Sequence, residues 1–143
     1  MEELLDKIIA VIREQNFPEI RSLLFGDPIT YVDFDLPAII VAPGTDVVST
    51  YTTAKDQHLI RVAIYVVKSA RDGFNSTVSE SPVDRSLIRI ADQIVATLRE
   101  DVSLDGMVVT FQDVGVQYVP AVRNREAVRM AQMDARFMVL KSR

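Results

Sequence analysis

Near the C-terminal end of the chain, apolar and polar residues alternate with a period of two. Ala127, Ala131, Met133, Ala135, Phe137 and Val139 fall on one side of an extended segment, and Gln132, Asp134 and Arg136 fall on the other. The polar set cannot be buried without partners. The segment therefore requires a sheet packed on one face and polar on the other, which is the usual arrangement of an antiparallel sheet with helices on one side. Four strands are predicted. A short one, Ala38-Ile39-Ile40-Val41, stops at Pro43-Gly44. The strongest lies at residues 58–67, rich in β-branched side chains, and two more span about 107–119 and 127–140, joined by a basic loop beginning at Pro120.

Helical spacing supplies the second layer. Leu4, Leu5, Ile8, Ile9 and Ile12 recur on one face of an N-terminal segment, with Glu2, Asp6, Lys7, Arg13 and Glu14 opposite. Asn16, Pro18 and Gly26 sit where a short second helix would be capped, begun and ended. The clearest helix opens at Ser81-Pro82-Val83-Asp84, with Ser81 as N-cap, and its predicted apolar face is Leu87, Ile88, Ala91, Ile94, Val95 and Leu98. Two stretches stand apart. Residues 47–56 are β-prone but polar and predict an exposed arm or hairpin, and residues 69–80 predict a long loop. The order of elements gives an α+β fold. It is a single two-layer domain over residues 1–143, with a mainly antiparallel sheet of about four strands and helices packed on one face.

Composition excludes several kinds of chemistry. The absence of cysteine removes disulfides, thiol catalysis, iron–sulfur clusters and cysteine-based zinc sites, and a single histidine rules out a histidine-rich metal site. Met1-Glu2-Glu3 is acidic where a signal peptide is basic, and no apolar run approaches the roughly 18 residues of a membrane span. A soluble protein made in a reducing compartment, without membrane contact, is expected. The formal net charge of −4 disfavours a protein that coats nucleic acid.

No motif reaches the standard of an enzyme. Asp33 and Asp35 point the same way on an extended segment, but no further ligands surround them and a solvated acidic loop is the expected reading. His58, beside Asp56 and Gln57, would need a nucleophile and an orienting acid to act as a base; a strand-edge histidine with a structural hydrogen bond is expected instead. Ser49-Thr50-Tyr51-Thr52-Thr53 lacks a nucleophile elbow and a glycine-rich phosphate cradle. No catalytic residue, cofactor or metal is predicted.

Charge is polarised along the chain. Residues 1–46 hold nine acids against three bases, and residues 121–143 hold six bases against two acids. Arg123, Arg125 and Arg129 form the densest basic cluster, interrupted by Glu126. With Asp33 and Asp35 they are the candidate subunit or partner interface, since head-to-tail association needs two different, complementary patches.

In its order of elements the chain resembles the tail terminator proteins of long-tailed bacteriophages, also called tail completion or head–tail joining proteins. The likeness spans nearly the whole chain. It rests on the N-terminal amphipathic helix, on Leu36-Pro37-Ala38-Ile39-Ile40 leading into the first strand, and on the helix from Leu87 to Leu98. It continues in Tyr118-Val119-Pro120 and the closing strand from Arg129 to Phe137. The resemblance implies a structural virion protein forming a homo-oligomeric ring, a hexamer in that family. Such a ring caps the tail tube, stops its polymerisation and joins the tail to the head connector or neck protein. The implied partners are itself, the tube protein and the connector, with DNA only as passing cargo. The implied location is the virion tail, assembled in the host bacterial cytoplasm. The alternative is a small bacterial α+β module that binds a ligand or nucleic acid.

Overall fold

Two long hairpins carry the sheet. A computed structural model describes residues 2–26, 34–70, 82–101, 108–123 and 125–142. The elements run α1 (Glu2–Gln15), β1 (Ser22–Phe25), β2 (Ala38–Thr50), β3 (Lys55–Ser69), α2 (Pro82–Asp101), β4 (Val108–Arg123) and β5 (Glu126–Ser142). In space the strands lie in the order β1-β2-β3-β5-β4. Every pairing is antiparallel except β1 with β2. The α+β class and the single helical layer are as expected, but the sheet has five strands rather than about four.

The fifth strand replaces the expected short second helix. α1 ends at Gln15, where Asn16 adopts a left-handed conformation (φ 48°) and its N–H donates to the Arg13 carbonyl. After a turn at Pro18-Glu19, Ser22-Leu23-Leu24-Phe25 pairs in parallel with Ala38–Val41. Leu23 packs towards the helices and Leu24 towards the opposite face. So short a segment gains little from one helical turn with its nucleation cost, whereas a ladder satisfies its backbone groups at once.

The core lies between sheet and helices. Leu4, Leu5, Ile8, Val11 and Ile12 of α1 are buried against Ile39 and Val41 of β2, the even-numbered Ile60 to Val66 of β3 and the odd-numbered Ala131 to Val139 of β5. Phe111 and Phe137 meet edge to face, with ring centroids 5.5 Å apart. On α2 the buried stripe is Leu87, Ile90, Ala91, Ile94 and Leu98. This corrects the predicted face at one position. Ile88 is 44% exposed and Ile90 takes its place, because the stripe centres on positions 87, 91, 94 and 98 and position 88 turns away from it. Ala127 has the helix-side parity of β5 but lies exposed beside the hairpin turn.

The opposite face is only partly polar. Ile40, Val67 and Val128 form a second buried cluster there, with Phe34 and Leu36 packed against it. Farther along, that face carries Gln132, Asp134 and Arg136, as the alternation requires.

Two predicted strand boundaries move. β2 does not stop at Pro43-Gly44 but continues to Thr50 through a bulge between Pro43 and Asp46. Likewise Pro120 does not open a loop: it pairs with Arg129, and β4 runs on to Arg123. Both prolines lie on strand stretches with no outer neighbour among the described residues, where a missing N–H is tolerated. The predicted loop at 69–80, the Ser81 cap and Asp33 fall outside the described residues, apart from Ser69 and Ala70 at the end of β3.

The buried stripe is testable by thermal or denaturant unfolding. Ile94→Ala is expected to cost about 2–5 kcal/mol, while Ile88→Ala is expected to stay within about 0.5 kcal/mol of the parent.

Candidate functional site

The sheet outruns its helices, and the excess forms an arm. Every residue of β2 from Pro43 to Thr50 is exposed, as are the turn residues Tyr51–Ala54. This agrees with the exposed hairpin expected at 47–56. The turn is closed locally: Tyr51 and Thr52 N–H groups donate to the Lys55 carbonyl, and Thr52 Oγ1 accepts from the Ala54 and Lys55 N–H groups. At the base of the arm, the bulge brings Gly44 against β3. A Cβ at this position would lie 2.5 Å from the Arg61 carbonyl oxygen, so only glycine fits.

His58 lies on this arm and pairs across the strands with Asp46. Its Nδ1 is 3.0 Å from one carboxylate oxygen and 3.2 Å from the other. Across the ladder His58 faces Val48 and Val139. The pair pins β2 to β3 directly beyond the bulge, the structural hydrogen bond that the sequence suggests. Among the described residues, no group of three or more His, Asp or Glu is arranged to hold a metal.

Exposed apolar residues collect on the arm and on β4. Val47 and Val48 lie on β2, Tyr51 on the turn, Leu59 on β3, and Tyr118 and Val122 on β4. Tyr118 borders α2; partial burial, and then the Asp92 carboxylate, raise its phenol above the ordinary tyrosine range. Among the described residues both margins are open. β1 covers β2 only along Ala38–Val41, and among the described residues β4 pairs on one side alone, with β5. β2 carries one charged side chain, Asp46, and β4 carries two, Asp113 and Arg123. Natural edges are usually blunted with lysine, proline or inward charge. Here each margin carries one proline and one β-bulge: Pro43 and the bulge between Pro43 and Asp46 on β2, Pro120 and the bulge between Phe111 and Asp113 on β4.

The face away from the helices has a shallow depression of about 380 Å³. It is floored by Ala63 and Gly115 and ringed by Tyr65, Gln117, Gln132 and Asp134. Charges beside it are matched: Arg136 Nε is 2.8 Å from Asp113 Oδ1, and Arg61 Nε is 3.9 Å from Asp134 Oδ2. These pairs are half-exposed and contribute little stability. They leave no excess positive charge for phosphates.

The charged residues singled out from the sequence gather at the other end of the sheet. Asp35 is exposed, and its backbone carbonyl accepts a hydrogen bond from Ser22 Oγ. Asp35 and Glu126 line one cleft of about 370 Å³, together with Arg21. Arg123 ends β4 and Arg125 sits in the turn with φ 64°. Arg129 lies on β5 between Lys68 and Pro120, with helix-side parity. The acidic segment and the basic turn thus share one end of a single subunit, and Asp33 lies outside the described residues. What sequence reasoning missed is the pair of open edges. The signal was present in the scarcity of charge in 38–50 and 108–122, but it needed the strand order to be legible.

No family model matches the chain, and neither does any curated protein.

The two β-strand glycines separate arm geometry from the open face. Gly44→Ala is expected to destabilise by about 1–3 kcal/mol, because backbone must move. At Gly115 an added Cβ meets nothing within 4 Å. Gly115→Ala is therefore expected to be neutral or to stabilise by up to about 1 kcal/mol. Denaturant midpoints of the two variants check both.

Proposed function

We propose that this protein is a structural subunit that assembles head to tail into a homo-oligomeric ring. Its place is that of the tail terminator proteins it resembles, in the tail of a phage or prophage particle assembled in the bacterial cytoplasm. One observation carries the reading: among the described residues a single sheet ends in two different edges, on opposite sides, and each keeps an open stretch without lysine or proline. A closed ring needs two unlike complementary patches, whereas a two-fold dimer needs only one self-complementary patch. In this role the ring docks on the last ring of the tail tube, halts further addition and presents its other face to the head connector, while DNA passes through. The mechanism is thermodynamic: the tube end gains a well-matched partner that offers no surface for another tube ring.

A second reading has one observation in its favour. The depression walled by Tyr65, Gln117, Gln132 and Asp134 brings hydrogen-bonding groups together, as a small-ligand module would. Its open form favours it less than the edges favour assembly.

Tube growth distinguishes the two. Tail tube protein from the same virus is polymerised with and without this chain, and tube lengths are measured by electron microscopy. Shortened tubes bearing a terminal ring are expected. Tubes of unchanged length with no density at their ends contradict the proposal.

A further inference from the structure

We propose that the outer edge of β4, between Val108 and Val119, receives a strand from a second copy of this chain, and that the strand supplied is the Asp46–Ser49 stretch of β2. The inference rests on the self-assembling reading above and names the surfaces that join.

Strand direction is the first support. β2 and β5 run one way, and β3 and β4 run the other. Rotating one copy about an axis parallel to the strands brings its β2 beside the first copy's β4 in antiparallel sense. The alternation of the sheet then continues across the junction, and antiparallel ladders are the more stable kind.

Charge is the second. Strands that must stay solvated carry lysine or unpaired charge. Neither stretch contains lysine or proline, and each has one charged residue that is engaged inside its own subunit. Asp46 accepts from His58, and Asp113 pairs with Arg136. Pro43 and Pro120 lie just outside the two stretches and mark where a ladder must end. What lies between them is β-prone: Val47 and Val48 are 59% and 54% exposed on one edge, and Tyr118 is exposed on the other.

The occupant follows from using both edges. A strand from another protein would satisfy β4 and leave Val47 and Val48 in water. Two β4 edges meeting around a two-fold axis would do the same. Only a copy of this chain, joined β4 to β2, covers both edges in every subunit.

The chain contains no cysteine, so introduced thiols report contacts without background. Ser49 and Thr110 are both exposed and project from the face opposite the helices. Ser49→Cys and Thr110→Cys proteins are treated with a short bismaleimide, separately and mixed. A dimer band in the mixture alone, and a ladder of multimers from the double variant, are expected. Cross-linking of Thr110→Cys by itself indicates two-fold β4 pairing and overturns the proposal. Amide exchange of unmodified protein is read in parallel, dilute and assembled. The outward-pointing amides of 46–49, and those of a matching run of about four residues within 108–119, are expected to exchange about tenfold or more slowly after assembly. Val47→Lys is expected to abolish that protection while leaving the fold's melting temperature unchanged. If light scattering registers assembly while these amides exchange at the dilute rate, the edge pairing is wrong and the ring reading stands. If nothing assembles under any condition, with or without tube ends, both fall.

Discussion

The pairing of β3 with β5 sets the dimensions of everything else. Their ladder runs unbroken from Lys55–Ser142 to Ser69–Val128. At about 3.3 Å per residue, fifteen paired rows make a sheet roughly 50 Å long. α2, with 20 residues, spans only about 30 Å, and α1 is shorter. Two such helices cannot cover such a sheet. One end is therefore left bare on the helix side, and this bare end is the arm built from β2 and β3.

That shortfall explains where the apolar surface goes. Under the helices, Ile64, Val66, Ala131 and Ala135 are buried completely. Beyond them, on the helix side, β2 runs into solvent and exposes Val48, while Val47 and Leu59 are exposed on the opposite face, away from the helices. Scattered single apolar residues need no explanation, but Val47 and Leu59 are ladder partners and form a small apolar pair on that face. The His58–Asp46 pair and the Gly44 bulge hold this bare end in a fixed shape. An arm stiffened in this way loses little entropy on docking, and preorganisation favours a partner.

Much of the fold was legible because it depends on local period. The 3.6-residue stripes of α1 and α2 and the strict alternation of β5 need no knowledge of distant partners. The errors fall where a distant partner decides. Ser22–Phe25 reads equally as a helical turn or a strand until Ala38–Val41 is seen to lie alongside it. Pro43-Gly44 reads as a stop, yet with no neighbour on the outer side of β2 among the described residues it becomes a bulge in a continuing strand. Pro120 is the same case on the other margin. The candidate charges were chosen by their separation along the chain, and the fold sets Asp35 beside Glu126, next to the basic turn, which linear distance could not reveal. The open edges are a property of strand order, and no window of residues contains it.

Self-association through two unlike edges is best tested by sedimentation equilibrium, over a wide concentration range and again with tail tube ends present. The subunit mass is 16.0 kDa. A closed set of one definite multiple of that mass is expected, forming on its own at high concentration or on tube ends. A species that remains at 16.0 kDa throughout, with tube ends present as well as absent, would contradict it.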